Sequence, residues 1–410
     1  MKTHLGHLTY CTNIHAGKNW TEDFDILQEY LPIIKKTIAP DQPFGIGLRI
    51  SEAASLQLIN PVALSEFKQW LADNDAYVFT INGFPYGDFH HTVVKENVHR
   101  PDWTTTARKD YTIRLFKILQ SLLPPGMDGG ISTSPLTYRH WYTSKRDAEN
   151  AKDKATLNII EVLKELHTIY VESELLMHLD VEPEPDGMLE TGKEYIRWFE
   201  EDLLRLGVPV FMQSFGLSVT AAEKRIKRHL CLCYDVCHFS IGYENHETVL
   251  KELHEKGLRV GKIQISAALK ANLKESAGGR MQIKESFRKF NETTYLHQVV
   301  AKKSDGNLIR YPDLPQALDD FDHEGVEQWR AHFHVPISLE KIGFLQSTQN
   351  DILKVLELQK KQPFTHHLEV ETYTWEVLPG NIKLPLTQSI INELNWVIEA
   401  VKLETIISKR

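Results

Sequence analysis

Short runs of apolar residues recur along this chain, separated by longer stretches in which apolar positions return every three or four residues. The short runs predict strands at HLTYCTN (7–13), FGIGLRIS (44–51), AYVFTING (76–83), GGIST (129–133) and LLMHLDVE (175–182). Four more follow at LCLCYD (230–235), RVGKIQIS (259–266), AHFHVPI (331–337) and HHLEVET (366–372). The longer stretches predict helices at 23–38, 155–171, 248–257 (closing on Gly257) and 351–361, with 386–401 as a closing helix.

Strand and helix alternate, which predicts an α/β protein with a parallel sheet and helical crossovers. No GxGxxG follows the first strand, so a closed (β/α)8 TIM barrel is expected rather than a dinucleotide-binding open sheet. Nine strand candidates are one too many for that barrel. Either GGIST is a loop, or one of 259–266 and 331–337 lies outside. The stretch 267–330 breaks the repeat, with AGG, a KKSDGN turn between two short apolar runs and the acidic DDFDHE. It reads as an insertion on the loop face, a lid within a single barrel domain spanning 1–410, with DDFDHE (319–324) as a solvated turn.

Composition narrows the function classes. The 410 residues are 42% apolar and 25% charged, with net charge −8. That is an ordinary globular composition, and it lacks the basic footprint of a nucleic-acid binder. No run approaches the length of a membrane span, and the first twenty residues hold no signal-like apolar run. Four cysteines do not make a disulfide framework, so a cytoplasmic protein is expected.

Three of those cysteines crowd LCLCYDVCHFS (230–240) and suggest a thiolate zinc site. Strand geometry argues otherwise. Residues i and i+2 share a face but stand ~6.6 Å apart along it, too far for Cys231 and Cys233 to grip one ion from a straight strand. They read as buried fillers, and Cys237 stays open. Asp235 and His238 lie at the strand's end, the mouth where barrels build their sites. Glu182, Gln264 and Glu369 or Glu371 end other strands, and together these form a hard, oxygen-rich set suited to Mg, Mn or Zn. Glu371 is chosen over Glu369 because it lies nearer the mouth. One level below stand Asp180, Cys233, Lys262 and Glu369. Lys262 is expected to point inward and neutralise Asp180 or Glu369.

The set Glu182, Asp235-Val-Cys-His238, Lys-Ile-Gln264-Ile and Glu371 resembles that of xylose isomerase-like TIM barrels. These include sugar isomerases and epimerases and the endonuclease IV nucleases. More narrowly, HLTYCTNIHAGKNW, HLDVEPEPDG, HFHVP and HLEVETYTW resemble the EboE family, described as metabolite traffic proteins. The resemblance implies Glu182, Asp235, Gln264 and Glu371 as ligands of a divalent metal ion, and Glu182 and Glu371 as an acid/base pair. The implied activity is that of a sugar isomerase or epimerase on a small polyol or α-hydroxycarbonyl metabolite, by proton transfer beside a carbonyl. A non-catalytic metabolite-binding protein is the alternative, with a metal hydrolase of the endonuclease IV kind third. The EboE resemblance also implies partners from one gene cluster, including a membrane prenyltransferase-like protein.

His238, His332, His334 and His15 are candidate substrate contacts, and Asn13 follows the first strand beside His15. Arg49 would meet an anionic group or pair with an inward acid. Tyr373 and Trp375 would wall the site or pack at its rim. Histidines within helices, such as His167, are expected on the surface.

Overall fold

The computed structural model describes residues 1–87, 93–273, 276–376 and 384–407. The strands are β1 (Lys2–Thr3), β2 (Gly6–Tyr10), β3 (Phe44–Arg49), β4 (Ala76–Asn82), β5 (Gly129–Thr133), β6 (Met177–Val181), β7 (Leu230–Asp235) and β8 (Arg259–Ile265). There follow β9 (Leu269–Asn272), β10 (Val299–Lys303), β11 (Leu308–Tyr311), β12 (Val326–Ala331), β13 (Lys341–Ile342), β14 (Leu345–Ser347) and β15 (His367–Val370).

Eight of these form the barrel. Hydrogen bonding runs β2-β15-β8-β7-β6-β5-β4-β3, every pair parallel. A parallel bridge from Cys11 to Gly47 closes the ring between β2 and β3. Thr9 reinforces the seam: its hydroxyl donates to the Gly45 carbonyl (2.7 Å) and accepts from the Gly47 N–H (3.1 Å). Glycine is required here, because a Cβ on Gly47 would stand 2.0 Å from Glu369 Oε1 and 2.9 Å from the Tyr10 carbonyl. The chain is a (β/α)8 barrel.

The helices around it follow the apolar spacing. In Trp20–Ile38 the buried residues are Trp20, Phe24, Leu27, Leu31, Ile34 and Ile38, one stripe at helical period, and the Asn19 side chain caps the first turn. Lys145–Ser173 starts on a Ser144 cap, ten residues before the predicted 155, because its first turns are polar and carry little periodic signal. His167 in that helix is buried, not on the surface: it packs edge-on against Phe215, with ring centroids 4.6 Å apart. Among the described residues no single helix is long and apolar enough to cross a membrane.

GGIST is a barrel strand, and the supernumerary candidate is 331–337. Only Ala331 there is in a strand, as the end of β12, and residues 332–337 run without strand pairing. They belong to a second, six-stranded antiparallel sheet and its exit, ordered β11-β10-β12-β9-β14-β13. The KKSDGN turn joins β10 to β11 as a hairpin. The sheet starts just past the C-terminal end of β8 and runs to Ser347, beyond the expected limit at 330. It therefore rises from the mouth of the barrel.

Candidate metal and substrate site

Period-two alternation along the barrel strands sends a ladder of polar side chains inward. On β6 and just past it these are His178, Asp180 and Glu182; on β7 they are Cys231, Cys233 and Asp235; on β15 and past it they are His367, Glu369 and Glu371, all buried. Lys262 points inward too. Its ammonium donates to Glu369 Oε2 (2.5 Å) and Ser132 Oγ (3.0 Å), whereas Asp180 pairs with His178. Burial disfavours the Lys262 charge, but Glu369, with Cys233 and Cys11, outweighs it and holds the pKa above the ordinary value. Glu369 is thus the lower residue and Glu371 the one at the mouth.

At the mouth Glu182, Asp235 and Glu371 each present an oxygen within 4.8 Å of the others. Asp235 and Glu371 are held by hydrogen bonds, and Glu182 Oε1 lies 3.6 Å from His238 Nδ1. Asp235 Oδ1 accepts from the His238 N–H (3.0 Å), capping the short helix Val236–Ile241, and from Ser266 Oγ (2.8 Å). Glu371 accepts from Asn13 and Asn82 on Oε1 (both 2.8 Å) and from Gln264 Nε2 on Oε2 (2.7 Å). Gln264 in turn accepts at Oε1 from the Cys233 thiol (2.6 Å), so the face it shows the acids is its nitrogen.

His334 adjoins Asp235, and with His238 these form a second, overlapping group of ligand atoms. His334 Nε2 lies 3.9 Å from Asp235 Oδ2, and its Nδ1 lies 3.0 Å from the Glu371 carbonyl. Among the described residues three buried atoms here have no hydrogen-bond partner: Glu182 Oε2, Asp235 Oδ2 and His334 Nε2. Buried polar atoms are rarely left so, and these are two carboxylate oxygens and an imidazole nitrogen. Burial pushes His334 and His332 below their ordinary values, which favours the neutral ring. Burial and the neighbouring acids Glu371 and Asp235 push Glu182 well up, and burial with Asp235 and Glu369 does the same to Glu371. For Asp235 burial acts upward, but His238, His334 and Ser266 bring it below its ordinary value. A cation among these groups would relieve the crowding. The donor set fits a divalent ion of the Mg, Mn or Zn class.

Above these acids is a pocket with ≈ 580 Å³ of unfilled space, its mouth included. Its floor is Glu182, Glu371, Asn13 and Asn82, and its walls include His238, His332, His334 and Tyr373. The inserted sheet and its approaches supply Tyr295, Leu296, Gln298 and His332. The pocket's other rim is stapled to it, as Val94 and Lys95 donate backbone N–H groups to the Thr294 carbonyl (2.8 and 3.1 Å) and the Lys95 ammonium meets Asp313 at 2.5 Å. His238 Nε2 faces His332 Nε2 at 3.1 Å, while His238 Nδ1 is 3.0 Å from the Pro183 carbonyl and His332 Nδ1 2.8 Å from Gln298 Oε1.

Other predicted residues lie elsewhere. His15 does not line the pocket; it packs on Tyr30 (centroids 5.0 Å) with Nε2 3.2 Å from the Tyr10 hydroxyl. Arg49 meets the backbone carbonyls of Gly17 and Gly87 rather than the pocket or an inward acid. Trp375 packs in the core beneath the rim. Cys237 is buried, its thiol 3.7 Å from the Phe333 carbonyl, and burial raises its pKa well above the ordinary value. Asn82 was missed. It ends β4 in the inward phase, the same signal that picked out Glu182, but an amide at a strand end reads as a turn residue.

No family model matches the chain, and no curated protein does. Solved structures similar to it include a D-tagatose 3-epimerase-like protein (9% identity, 98% of this chain and 99% of that chain covered, TM-score 0.48). A protein from Anabaena variabilis described as a putative sugar phosphate isomerase/epimerase shares 10% identity over 97% of this chain and 99% of its own, with TM-score 0.46. The IOLI protein, with a bound zinc atom, shares 12% over 96% and 98%, with TM-score 0.45.

Proposed function

We propose that the mouth of this barrel binds a divalent metal ion and a small polyol or α-hydroxycarbonyl metabolite, and that the protein is an isomerase or epimerase of the xylose isomerase-like kind. One observation carries the reading: Glu182, Asp235 and Glu371 each bring an oxygen within 4.8 Å of the others, and among the described residues Glu182 Oε2, Asp235 Oδ2 and, 3.9 Å from the latter, His334 Nε2 are buried without hydrogen-bond partners. Glu182, Asp235, Glu371 and His334 are the ligands proposed. Gln264, predicted as a ligand, serves here through its nitrogen to orient Glu371. The ion would supply positive charge to the substrate's carbonyl and hydroxyl oxygens.

The remaining work belongs to the chain's own residues. Glu371, steadied by three amide donors, and Glu182, on a neighbouring part of the floor, are an acid/base pair: one takes a proton from the carbon beside the carbonyl, the other returns it. His238 and His332 sit on the wall within reach of substrate hydroxyls. The inserted sheet covers the molecule and keeps water from it.

A second reading is a carrier that holds the metabolite without reacting with it. The covering wall of Tyr295, Leu296, Gln298 and His332 favours it, since enclosure serves delivery as well as catalysis. That reading agrees with the EboE resemblance, in which a cytoplasmic protein would exchange its cargo with gene-cluster partners such as the membrane prenyltransferase-like protein. Incubating the purified protein with Mn²⁺ and a panel of ketoses and α-hydroxyaldehydes in D₂O separates the two. Deuterium at the carbon beside the carbonyl, lost in Glu371→Gln, supports the enzyme. Binding without deuterium uptake across the panel supports the carrier and overturns the isomerase.

A further inference from the structure

The opposite end of the barrel holds a second group of metal-competent side chains that the proposed reaction does not use. Asp128 directly precedes β5, His178 lies at the start of β6 and His367 starts β15. One ligand atom from each lies within 4.8 Å of the others. Asp128 stands between the two rings: His178 Nε2 is 3.6 Å from its Oδ2, and His367 Nε2 is 3.4 Å from its Oδ1. Both rings are buried, and among the described residues neither Nε2 has a hydrogen-bond partner.

The spacing is that of ligands around one ion. Nitrogen and oxygen donors at about 2.0–2.1 Å from a tetrahedral zinc stand roughly 3.3 Å from one another. His178 also has the outer partner that a bound histidine uses, whereas His367 Nδ1 has none among the described residues. A metal-bound histidine characteristically gives its other ring nitrogen to a carboxylate, and His178 Nδ1 meets Asp180 Oδ1 at 2.5 Å. The barrel is hollowed to admit that pair. A Cβ on Gly130 would stand 2.5 Å from His178 Cε1 and 2.6 Å from Asp180 Oδ2, and one on Gly261 would stand 1.9 Å from Asp180 Oδ1.

Access and competition are also defined. The Asp128 side chain is 21% exposed and borders a groove lined by Lys2, His7, Tyr77 and Met127. Cys231 lies beside His178 and Asp180, on the far side of His178 Nδ1 from the proposed ligand atom Nε2. Arg259 approaches Asp128 Oδ2 only to 3.8 Å and donates instead to the Arg228 carbonyl (2.7 Å).

We propose that His178, His367 and Asp128 bind a structural zinc ion at the N-terminal end of the barrel, with solvent from the groove completing its coordination. The ion links the starts of β5 and β6 to that of β15 across the barrel interior. β15 is the last strand to arrive, after the inserted sheet, and an ion there fastens it to strands that are not its sheet neighbours.

Chelator-stripped full-length protein, titrated with Zn²⁺ and desalted, gives the bound equivalents by elemental analysis. Co²⁺ gives a visible spectrum of the same sites. Wild type is expected to take up two equivalents and Glu182→Gln one. Asp128→Asn, isosteric and partly exposed, and His367→Gln should each take up one and lose the zinc-dependent rise in Tm that Glu182→Gln retains. Unchanged uptake in both Asp128→Asn and His367→Gln overturns the proposal; so does a single wild-type equivalent lost only in Glu182→Gln. That last result means His178 sits between Asp128 and Asp180 as an ion-free imidazolium. A single equivalent lost only in Asp128→Asn and His367→Gln supports this site and overturns the one at the mouth.

Discussion

Replacing Lys262 by methionine tests how the polar barrel interior is held together. The ammonium lies 2.5 Å from Glu369 Oε2 and 3.0 Å from Ser132 Oγ, and both charged side chains are 0% exposed. Methionine fills similar volume but strands the Glu369 carboxylate, whose Oε1 already has no hydrogen-bond partner among the described residues. Breaking one half of a buried pair costs about 3–5 kcal/mol. At roughly 2.1 cal/mol/K per residue, a chain of 410 residues unfolds with an entropy of roughly 0.9 kcal/mol/K, so Tm should fall by about 3–6 °C. Calorimetry on chelator-treated protein reads this without contributions from bound metal. The double variant Lys262→Met/Glu369→Leu removes the stranded charge together with its partner and should recover more than half of the loss. A single variant within ~1 °C of wild type, or a double variant as unstable as the single, refutes the pairing account.

Three further outcomes follow from the same geometry. Gly261→Ala drives a methyl group into Asp180 Oδ1, 1.9 Å away, and should cost about 1–3 kcal/mol in thermal unfolding; an unchanged Tm refutes the packing. Asn82→Ala removes one donor from Glu371 Oε1 and should weaken Mn²⁺ binding at the mouth about 10–100-fold by calorimetric titration; equal affinity refutes the positioning role. Burial raises Glu244 from 4.5 to about 8 in the folded protein. The native state then holds more protons than the unfolded one between those values, so this group's contribution to stability falls as pH rises from about 4.5 to about 8. Glu244→Gln can still accept from the Gly192 N–H (3.1 Å) and should flatten that slope; an unaltered slope refutes the assignment.

Much of the architecture was legible because it is local. Strand runs such as FGIGLRIS and LCLCYD match β3 and β7 closely, since an inward-outward period of two and a short apolar run are properties of adjacent residues. The same period separated Asp235 from Cys231 and Cys233, put Lys262 inside, and set Glu369 one level beneath Glu371. Tertiary structure decided what depends on residues far apart in the chain. HFHVP has a strand's alternation, yet its backbone is spent leaving the antiparallel sheet, and only that path brings His334 beside Asp235, ninety-nine residues earlier. Gln264 was expected as a ligand by sequence, and which end of its amide faces a neighbour is set by partners, here the Cys233 thiol and Glu371. His167 looked solvated because a histidine in a polar helix usually is, and packing against Phe215 was invisible to helix periodicity. Asp128, His178 and His367 carried no joint signal, being separated by fifty and by nearly two hundred residues. The sequence by itself determined which side chains enter the barrel and at what height, because the chain's own periodicity sets that. Which of them meet at the mouth and at the base was decided by barrel closure, which places strands side by side irrespective of their distance along the chain.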